Sequence, residues 1–171
     1  MFISVFIKFK NEKQKTNMKA CIFCEIVKGN IESFKIAENK EFIAILDIKP
    51  LVKGQTLIIP KKHYSSDPIN LPNKVYARAF LFAKKVSKIL QKTLKAKRIF
   101  IVVEGMEIDH FHIKLYPAYK INKEVEKKNE LIEKFRKYTI QNWYSGYITT
   151  LHGLEDIKSL KETYRSIVSR L

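Results

Sequence analysis

The stretch from Asp109 to Pro117, DHFHIKLYP, holds the side chains best suited to chemistry. His110, His112 and Lys114 alternate with apolar residues, and strict alternation over this length predicts a half-buried strand. Successive side chains of a strand point to opposite faces, so the two imidazoles and the ammonium share one face and the apolar residues face a core. Two imidazoles about 7 Å apart beside a lysine suit an anion or a metal ion. The alternative is a surface strand whose histidines have no function.

The two cysteines of the chain, Cys21 and Cys24, are separated by only two residues. This spacing is typical of a metal or redox site and differs from the disulfide framework of a small secreted protein. We therefore expect a cytoplasmic protein with a metal or redox function at this pair.

Length, composition and charge limit the class of protein. A chain of 171 residues that is 46% hydrophobic forms one domain with a buried core and has room for an appendage. The net charge of +16 suits anionic partners such as nucleotides, nucleic acid or acidic membrane lipids. Lysines are spread along the whole chain, so a generally lysine-rich composition explains the charge equally well. No stretch is long and apolar enough to predict a transmembrane helix.

Hydrophobic periodicity predicts the elements that must position the chemical side chains. The strands are expected at residues 33–38, 41–47, 55–59, 98–103 and 109–117, and the clearest helix at 73–95. Asn39 and Lys40 are predicted to form a hairpin turn between the first two strands. Pro117 is predicted to end the last strand, because proline has no N–H to donate to the hydrogen-bond ladder of a sheet. Strands that follow one another without intervening helices predict an α+β fold with an antiparallel sheet, not a doubly wound parallel one.

The two ends of the chain differ from the middle. Residues 1–17 are predicted to be a disordered arm before a second plausible start at Met18, with a membrane-surface anchor as the alternative. Residues 121–171 are predicted to be a mostly helical extension that packs on the domain of residues 18–120. Helices are expected at 124–138 and 156–171, with an aromatic segment at 141–150, and His152 is expected to be exposed.

From about Cys21 to Pro117, somewhat over half of its length, the chain resembles a histidine-triad (HIT) protein. The matching pieces occur in the family's order, and their combination is specific: CIFCEIVKG, FIAILDIKP, GQTLIIPKKHY, a long helix, and HFHIKLYP. The resemblance implies a five-stranded antiparallel sheet with helices. It also implies a homodimer that forms by pairing of strands.

The resemblance also implies an activity on nucleoside phosphates, with a purine nucleotide as the main partner. Family members transfer or hydrolyse these compounds through a nucleotidyl-histidine, and the nucleophile falls on His112. An imidazole nucleophile splits one difficult displacement into two easier steps. Asp47 matches the acidic residue that binds ribose hydroxyls through charge-assisted hydrogen bonds. The base pocket matches five apolar residues, for which ordinary core is the alternative: Ile22, Phe23, Ile26, Leu46 and Ile48.

A second set of residues, Cys21, Cys24, His63 and His110, offers two thiolates and two imidazoles. These four ligands make a complete tetrahedral set for zinc. Some branches of the family, including the galactose-1-phosphate uridylyltransferases, carry zinc at the equivalent positions, and the resemblance implies a structural Zn²⁺ here. The alternative leaves the cysteines as small buried residues and His63 on the surface.

The sequence departs from the family pattern in two places. Lys114 occupies the position of the third motif histidine, and a lysine can hold phosphate as a point charge but cannot accept a hydrogen bond as a neutral imidazole does. The loop between Gly105 and His110 is short, and Glu104 and Asp109 place negative charge where family hydrolases have phosphate-binding residues. Both departures argue against fast hydrolysis of the usual substrates.

Three functional hypotheses follow. The leading one is a zinc-containing nucleotidyl hydrolase or transferase that uses His112 as nucleophile and Lys114 as phosphate clamp. The second is a nucleotide-binding regulatory module with weak or no catalysis. The third is an aprataxin-like DNA-adenylate hydrolase, which the positive charge suggests. The intact His112 and Asp47 favour the first hypothesis, and the two departures favour the second.

Overall fold

The computed structural model describes residues 21–119 and 156–171. The arm at 1–17, the helix expected at 124–138, the aromatic segment 141–150 and His152 lie outside these residues. Within the two ranges, no helix combines the length and the apolar character that crossing a membrane requires.

Five strands and three helices form the described part of the chain. They are α1 (Ile22–Val27), β1 (Lys35–Glu38), β2 (Phe42–Leu46), β3 (Thr56–Pro60), α2 (Asn73–Leu94), β4 (Arg98–Val102), β5 (Ile113–Ala118) and α3 (Ile157–Val168), with a short 3₁₀ turn at Pro68–Asn70. The predicted strands and both described predicted helices are present, and their ends differ from the predicted ones by no more than four residues. The short helix α1 is not among the sequence predictions.

The five strands form one antiparallel sheet in the order β1-β2-β3-β5-β4. The α+β class and the five-stranded antiparallel sheet are therefore confirmed. The predicted β1–β2 hairpin is present, and the Asn39 side chain accepts hydrogen bonds from the backbone N–H groups of Glu41 at 2.8 Å and Phe42 at 2.7 Å. This Asx turn closes the hairpin without glycine, because the asparagine side chain replaces a backbone acceptor.

At the central strands both faces of the sheet are buried, but by different helices. The face under α2 and α3 carries the larger core, which includes Phe42, Ile58, Phe111, Ile113 and Leu115. The opposite face carries a smaller cluster under α1, which consists of Phe23, Ile43, Ile45, Leu57 and Ile59. The alternation of sequence neighbours between the two clusters is the period of two that a strand imposes.

The helix α3 is part of the core on the α2 side. Leu160 and Ile167 are buried against it, and the Arg170 guanidinium donates to the Thr93 carbonyl in the last turn of α2. The last carbonyls of a helix have no partner within the helix, so this contact satisfies one of them.

Two details of the predicted strand 109–117 are wrong. The strand begins at Ile113, because Phe111 N–H donates to the Tyr64 carbonyl at 2.9 Å, in the loop after β3, and so stays outside the ladder. It also continues through Pro117, which lies beyond the last β3 pair at Leu115 and has only β4 as a neighbour. His112 and Lys114, expected on a half-exposed face, are both buried, and Phe23 of α1 packs on the ring of His112.

Candidate metal and catalytic site

Four potential metal ligands from three separate segments meet at one end of the sheet. Cys21 and Cys24 lie at the start of α1, His63 lies in the loop after β3, and His110 lies shortly before β5. Their ligand atoms all lie within 4.8 Å of one another. The structure thus brings together all four residues that the sequence analysis selected.

The distances within this group suit a tetrahedral ion. Cys21 Sγ lies 3.3 Å from His110 Nδ1, and Cys24 Sγ lies 3.4 Å from His63 Nδ1 and 3.6 Å from His110 Nδ1. A sulfur and a nitrogen bound to one tetrahedral Zn²⁺ are about 3.6 Å apart, given the usual bond lengths and angle. The four ligand atoms are therefore already close to the spacing that zinc requires.

The hydrogen bonding of His110 selects the tautomer that binds a metal. Its Nε2 lies 2.9 Å from the Pro60 carbonyl oxygen, which can only accept, so the proton sits on Nε2. Nδ1 then carries a lone pair toward the two sulfur atoms. Backbone carbonyls orient metal-binding histidines in this way. Burial lowers the pKa of His110, which keeps the imidazole neutral as a ligand must be. No sequence signal points to Pro60 in this role.

His112 has its own defined tautomer. Its Nδ1 lies 2.8 Å from the His110 carbonyl oxygen, so Nδ1 is the protonated nitrogen and Nε2 keeps a lone pair. Burial lowers the pKa of His112, and among nearby charges Lys114 lowers the pKa while Glu104 and Asp47 raise it. The His112 side chain is thus a buried, neutral imidazole with one nucleophilic nitrogen.

Phe23 of α1 connects the two histidines. Its ring meets the His110 ring edge-on at 5.7 Å between centroids and the His112 ring at 5.1 Å. Such edge-to-face contacts fix ring orientation. Ile26 packs at the border of the same cluster, whereas Ile22 and Ile48 are 41% and 61% exposed.

Leu46 lies on the opposite side of the sheet. It is buried in the core under α2, while Ile43 and Ile45 of the same strand face α1. The period of two along β2 makes this separation unavoidable. Leu46 therefore belongs to the hydrophobic core under α2, which is the alternative to its assignment to the base pocket.

Asp47 is held in place by its own loop. Its Oδ1 accepts from the Lys49 N–H at 2.9 Å, and its Oδ2 accepts from Gln55 Nε2 at 2.6 Å. Gln55 is buried, and its Oε1 accepts from the Leu51 N–H at 2.8 Å. Gln55 is not among the residues predicted from the sequence, although a polar residue directly before an apolar strand is a signal that identifies it.

Lys114 forms a buried ion pair with Glu104. The two side chains are only 11% and 8% exposed, and the ammonium donates to Glu104 Oε1. Lys114 lies opposite Val102 of β4, and Glu104 follows that strand by two residues. The sequence analysis noted the charge of Glu104 but did not pair it with Lys114, because the pairing depends on the register of β4 and β5.

The loop after Glu104 packs closely on the loop that follows His63. The Asp109 carboxylate accepts from the Ser66 N–H at 2.8 Å and from the Ser65 hydroxyl at 3.2 Å, and these bonds lower the pKa of Asp109. Gly105 has φ of +66°, and a Cβ there would lie 2.6 Å from Ser66 Cβ. Only glycine suits this position, which fixes the path of the chain beside Glu104.

Comparison with known sequences identifies the same region. A model of the HIT domain family matches residues 28–121. A HIT-like protein of Mycoplasma genitalium is 38% identical over 115 residues, which are 64% of this chain and 81% of that protein. An adenosine 5'-monophosphoramidase of Saccharomyces cerevisiae is 37% identical over 99 residues, which are 57% of this chain and 62% of the enzyme.

Solved structures show the same fold. A zinc-bound histidine triad family protein from Mycobacterium smegmatis has a TM-score of 0.61 and 21% identity, and the alignment covers 88% of this chain and 94% of that one. At 21% sequence identity, this structural similarity shows that the two proteins share a fold.

Proposed function

Since the chain belongs to the HIT domain family, we propose that it is a nucleotidyl hydrolase or transferase in which His112 is the nucleophile. The observation that carries the proposal is the 2.8 Å contact of His112 Nδ1 with the His110 carbonyl, because it leaves the Nε2 lone pair for attack. The phosphoramidase activity of the yeast relative supports a purine nucleoside monophosphate derivative as substrate.

The reaction proceeds in two displacements. His112 Nε2 attacks the α-phosphorus, the bond from phosphorus to the leaving group breaks, and the leaving group departs with the electron pair and takes a proton from solvent. Water or another acceptor then attacks the phosphorus of the nucleotidyl-histidine and gives up a proton to solvent, the P–N bond breaks with its electron pair on Nε2, and His112 returns to its neutral form. The enzyme is a hydrolase if water accepts the nucleotidyl group, and a transferase if another molecule accepts it.

Several other residues bind and orient the nucleotide in this proposal. The Asp47 carboxylate, held by Gln55, accepts hydrogen bonds from ribose hydroxyls. Ile22, Phe23, Ile26 and Ile48 contact the base. Lys114 binds a non-bridging phosphate oxygen as a point charge.

We also propose that Cys21, Cys24, His63 and His110 hold a structural Zn²⁺. The donor set, the sulfur–nitrogen distances and the His110 tautomer support this assignment. Four protein ligands leave no open position, so the ion would join α1 to the loops of the sheet. His112 would then be positioned through the backbone of its neighbour His110.

We also propose that the protein forms a homodimer by pairing of its edge strand β4. This edge strand exposes Phe100 and Ile101, and Leu81 of α2 lies beside it, 66% exposed. An apolar edge strand is a template for pairing with a second chain. A cytoplasmic location is part of the same proposal and is supported by the metal-type spacing of the two free cysteines.

The proposal is tested with a panel of adenosine and guanosine phosphates and phosphoramidates. The parent should turn over at least one of them, and His112→Ala should abolish turnover while nucleotide binding is kept. A parent that binds a nucleotide tightly but turns over none would instead support the regulatory module, which the buried Glu104–Lys114 pair favours. Turnover by His112→Ala at the parental rate would contradict the assigned nucleophile.

A further inference from the structure

The segment between Asp67 and Glu104 has an unbalanced charge. Residues 68–103 contain nine basic residues and no acidic residue, so all 17 acidic residues of the chain lie elsewhere. All nine basic side chains of this segment are exposed. A general excess of lysine does not account for this segregation, because it leaves acidic residues mixed with the basic ones in the rest of the chain.

The helix α2 places five of these nine residues on one face. They follow one another at intervals of four, seven, three and four residues, which return to the same side of a helix with 3.6 residues per turn. The buried side chains of α2, such as Val75, Phe82 and Leu90, lie on a different face. At 1.5 Å per residue the exposed row is about 27 Å long. We call it the basic face, and it consists of Lys74, Arg78, Lys85, Lys88 and Lys92.

The C-terminal half of the basic face has no partner charge within the part of the chain that the structure describes. There, Lys85, Lys88 and Lys92 form no salt bridge, whereas Arg78 pairs with Glu41 at 2.6 Å. Like charges three and four residues apart destabilise a helix. An anionic ligand along this row relieves that repulsion.

The chemistry of the basic face fits the backbone of double-helical DNA. Lysine offers a point charge that suits a phosphate, and a DNA duplex carries one negative charge per about 1.7 Å, twice the density of a single strand. A membrane fits less well, because a helix that binds there buries its apolar side in lipid, and the apolar side of α2 packs in the core. An ammonium also has no acceptor for the 2′-hydroxyl group that distinguishes RNA.

The basic face and the proposed nucleophile lie on opposite sides of the sheet. The helix α2 packs on the side of Phe111 and Ile113, while His112 contacts Phe23 of α1 on the other side. A DNA duplex along α2 therefore does not reach His112, and it is not the substrate of that site.

We infer that the basic face of α2 binds the phosphate backbone of double-helical DNA without sequence preference. Phosphate contacts position a protein on a duplex and carry no sequence information. The net charge of +16 adds long-range attraction that accelerates encounter with the duplex. This binding function goes beyond the nucleotide chemistry at His112 and does not depend on it.

Fluorescence anisotropy with a short labelled DNA duplex of arbitrary sequence, at about 50 to 200 mM salt, tests the inference. The logarithm of the binding constant falls with the logarithm of salt by about 0.9 per phosphate neutralised. The parent should bind with a slope of about −2.7 or steeper. Combining Lys85→Gln, Lys88→Gln and Lys92→Gln should remove about 2.7 from the slope and weaken binding about tenfold at the lower salt. A parent that does not bind the duplex there would overturn the inference.

The matched control combines Lys28→Gln, Lys40→Gln and Lys53→Gln, three exposed lysines outside residues 68–103. It lowers the net charge by the same amount and should keep the parental slope. All six substitutions are at exposed positions, so both variants should keep the parental Tm. Equal losses of slope and affinity in the two variants would show that net charge alone binds DNA, and would overturn the assignment to α2.

Competition experiments test the location and the partner with the parent alone. Saturating AMP should leave the affinity for the DNA duplex unchanged, because His112 is on the other side of the sheet. Displacement of the duplex by AMP would place the DNA at the nucleotide site and overturn the inference. Tighter binding to phosphatidylserine vesicles or to an RNA duplex, at the same salt concentration, would overturn the choice of DNA as the partner.

Discussion

At the level of single residues, hydrogen bonds of two histidine rings to backbone carbonyls determine the chemistry of the site. The Pro60 carbonyl fixes the proton of His110 on Nε2, and the His110 carbonyl fixes the proton of His112 on Nδ1. The two neighbouring imidazoles therefore expose different nitrogens. One nitrogen faces the cysteines, and the other is the one that attacks phosphorus in the proposed mechanism.

The metal assignment predicts one zinc ion per chain and a large loss of stability without it. A ligand at 1,000 times its Kd stabilises the folded state by about 4 kcal/mol, which corresponds to roughly 10 °C in Tm for a chain of this size. Cys24→Ser should remove the zinc measured by elemental analysis and lower Tm by about this amount. Chelation of the parent should lower Tm similarly.

The control for this prediction is Glu25→Gln, a neighbour on α1 outside the ligand set, which should keep both zinc and Tm. A parent purified without zinc, and with the same Tm as Cys24→Ser, would contradict the assignment.

The residues of the site show what sequence can and cannot predict. The four proposed zinc ligands and His112 follow from residue type, spacing and the resemblance to the HIT family, because their chemistry resides in their own side chains. The contacts of Pro60 and Glu104 depend on loop paths and strand register, and a single sequence does not contain that information, whereas Gln55 has a signal in its position directly before an apolar strand. Leu46 was assigned to the base pocket because its sequence position matched, yet the period of two along β2 turns it to the other face.

At the level of elements, the sheet and α2 follow from periodicity, while α1 does not. Six residues are too few to show a helical period, and isolated helices of this length are unstable in water. Phe23 alone is buried among the residues of α1, and the proposed zinc would join the helix to the loop of His63. Packing of Phe23, together with the proposed ligation, and not intrinsic propensity, explains why this segment is helical.

The helix α3 should contribute to the stability of the whole domain. Leu160 is buried in the core between α2 and the sheet. Leu160→Ala leaves a cavity there and should cost about 2–5 kcal/mol in the free energy of unfolding, measured by urea denaturation. Val168→Ala, an exposed position of the same helix, should change it by less than about 0.5 kcal/mol. Equal effects of the two variants would show that α3 does not pack on the core.

At the level of the whole molecule, the exposed apolar edge predicts self-association. Phe100 on β4 is 52% exposed at the edge of the sheet. A charge buried in an apolar interface is costly, so Phe100→Glu should convert a dimer into a monomer. Sedimentation equilibrium at several concentrations measures this directly.

The control for the dimer is Ile69→Glu, which introduces the same charge at an exposed apolar residue away from β4. It should leave the oligomeric state unchanged. A parent that sediments as a monomer at all concentrations would contradict the dimer.

The overall charge permits a polyanionic partner without defining one. The helix α2 contains six basic and no acidic residues, yet the charges acting on His112 include two carboxylates. The charges near His112 therefore differ from those of α2, which lies on the opposite side of the sheet.

The covalent intermediate on His112 is the central claim, and one measurement tests it directly. The parent is mixed with the nucleotide that it turns over fastest, quenched within one turnover in alkaline denaturant to preserve the P–N bond, and analysed by peptide mass mapping. The account predicts one nucleotidyl group, located on His112, and none in His112→Ala. A nucleotidyl group on another residue, or turnover by the parent without any labelled peptide, would contradict it.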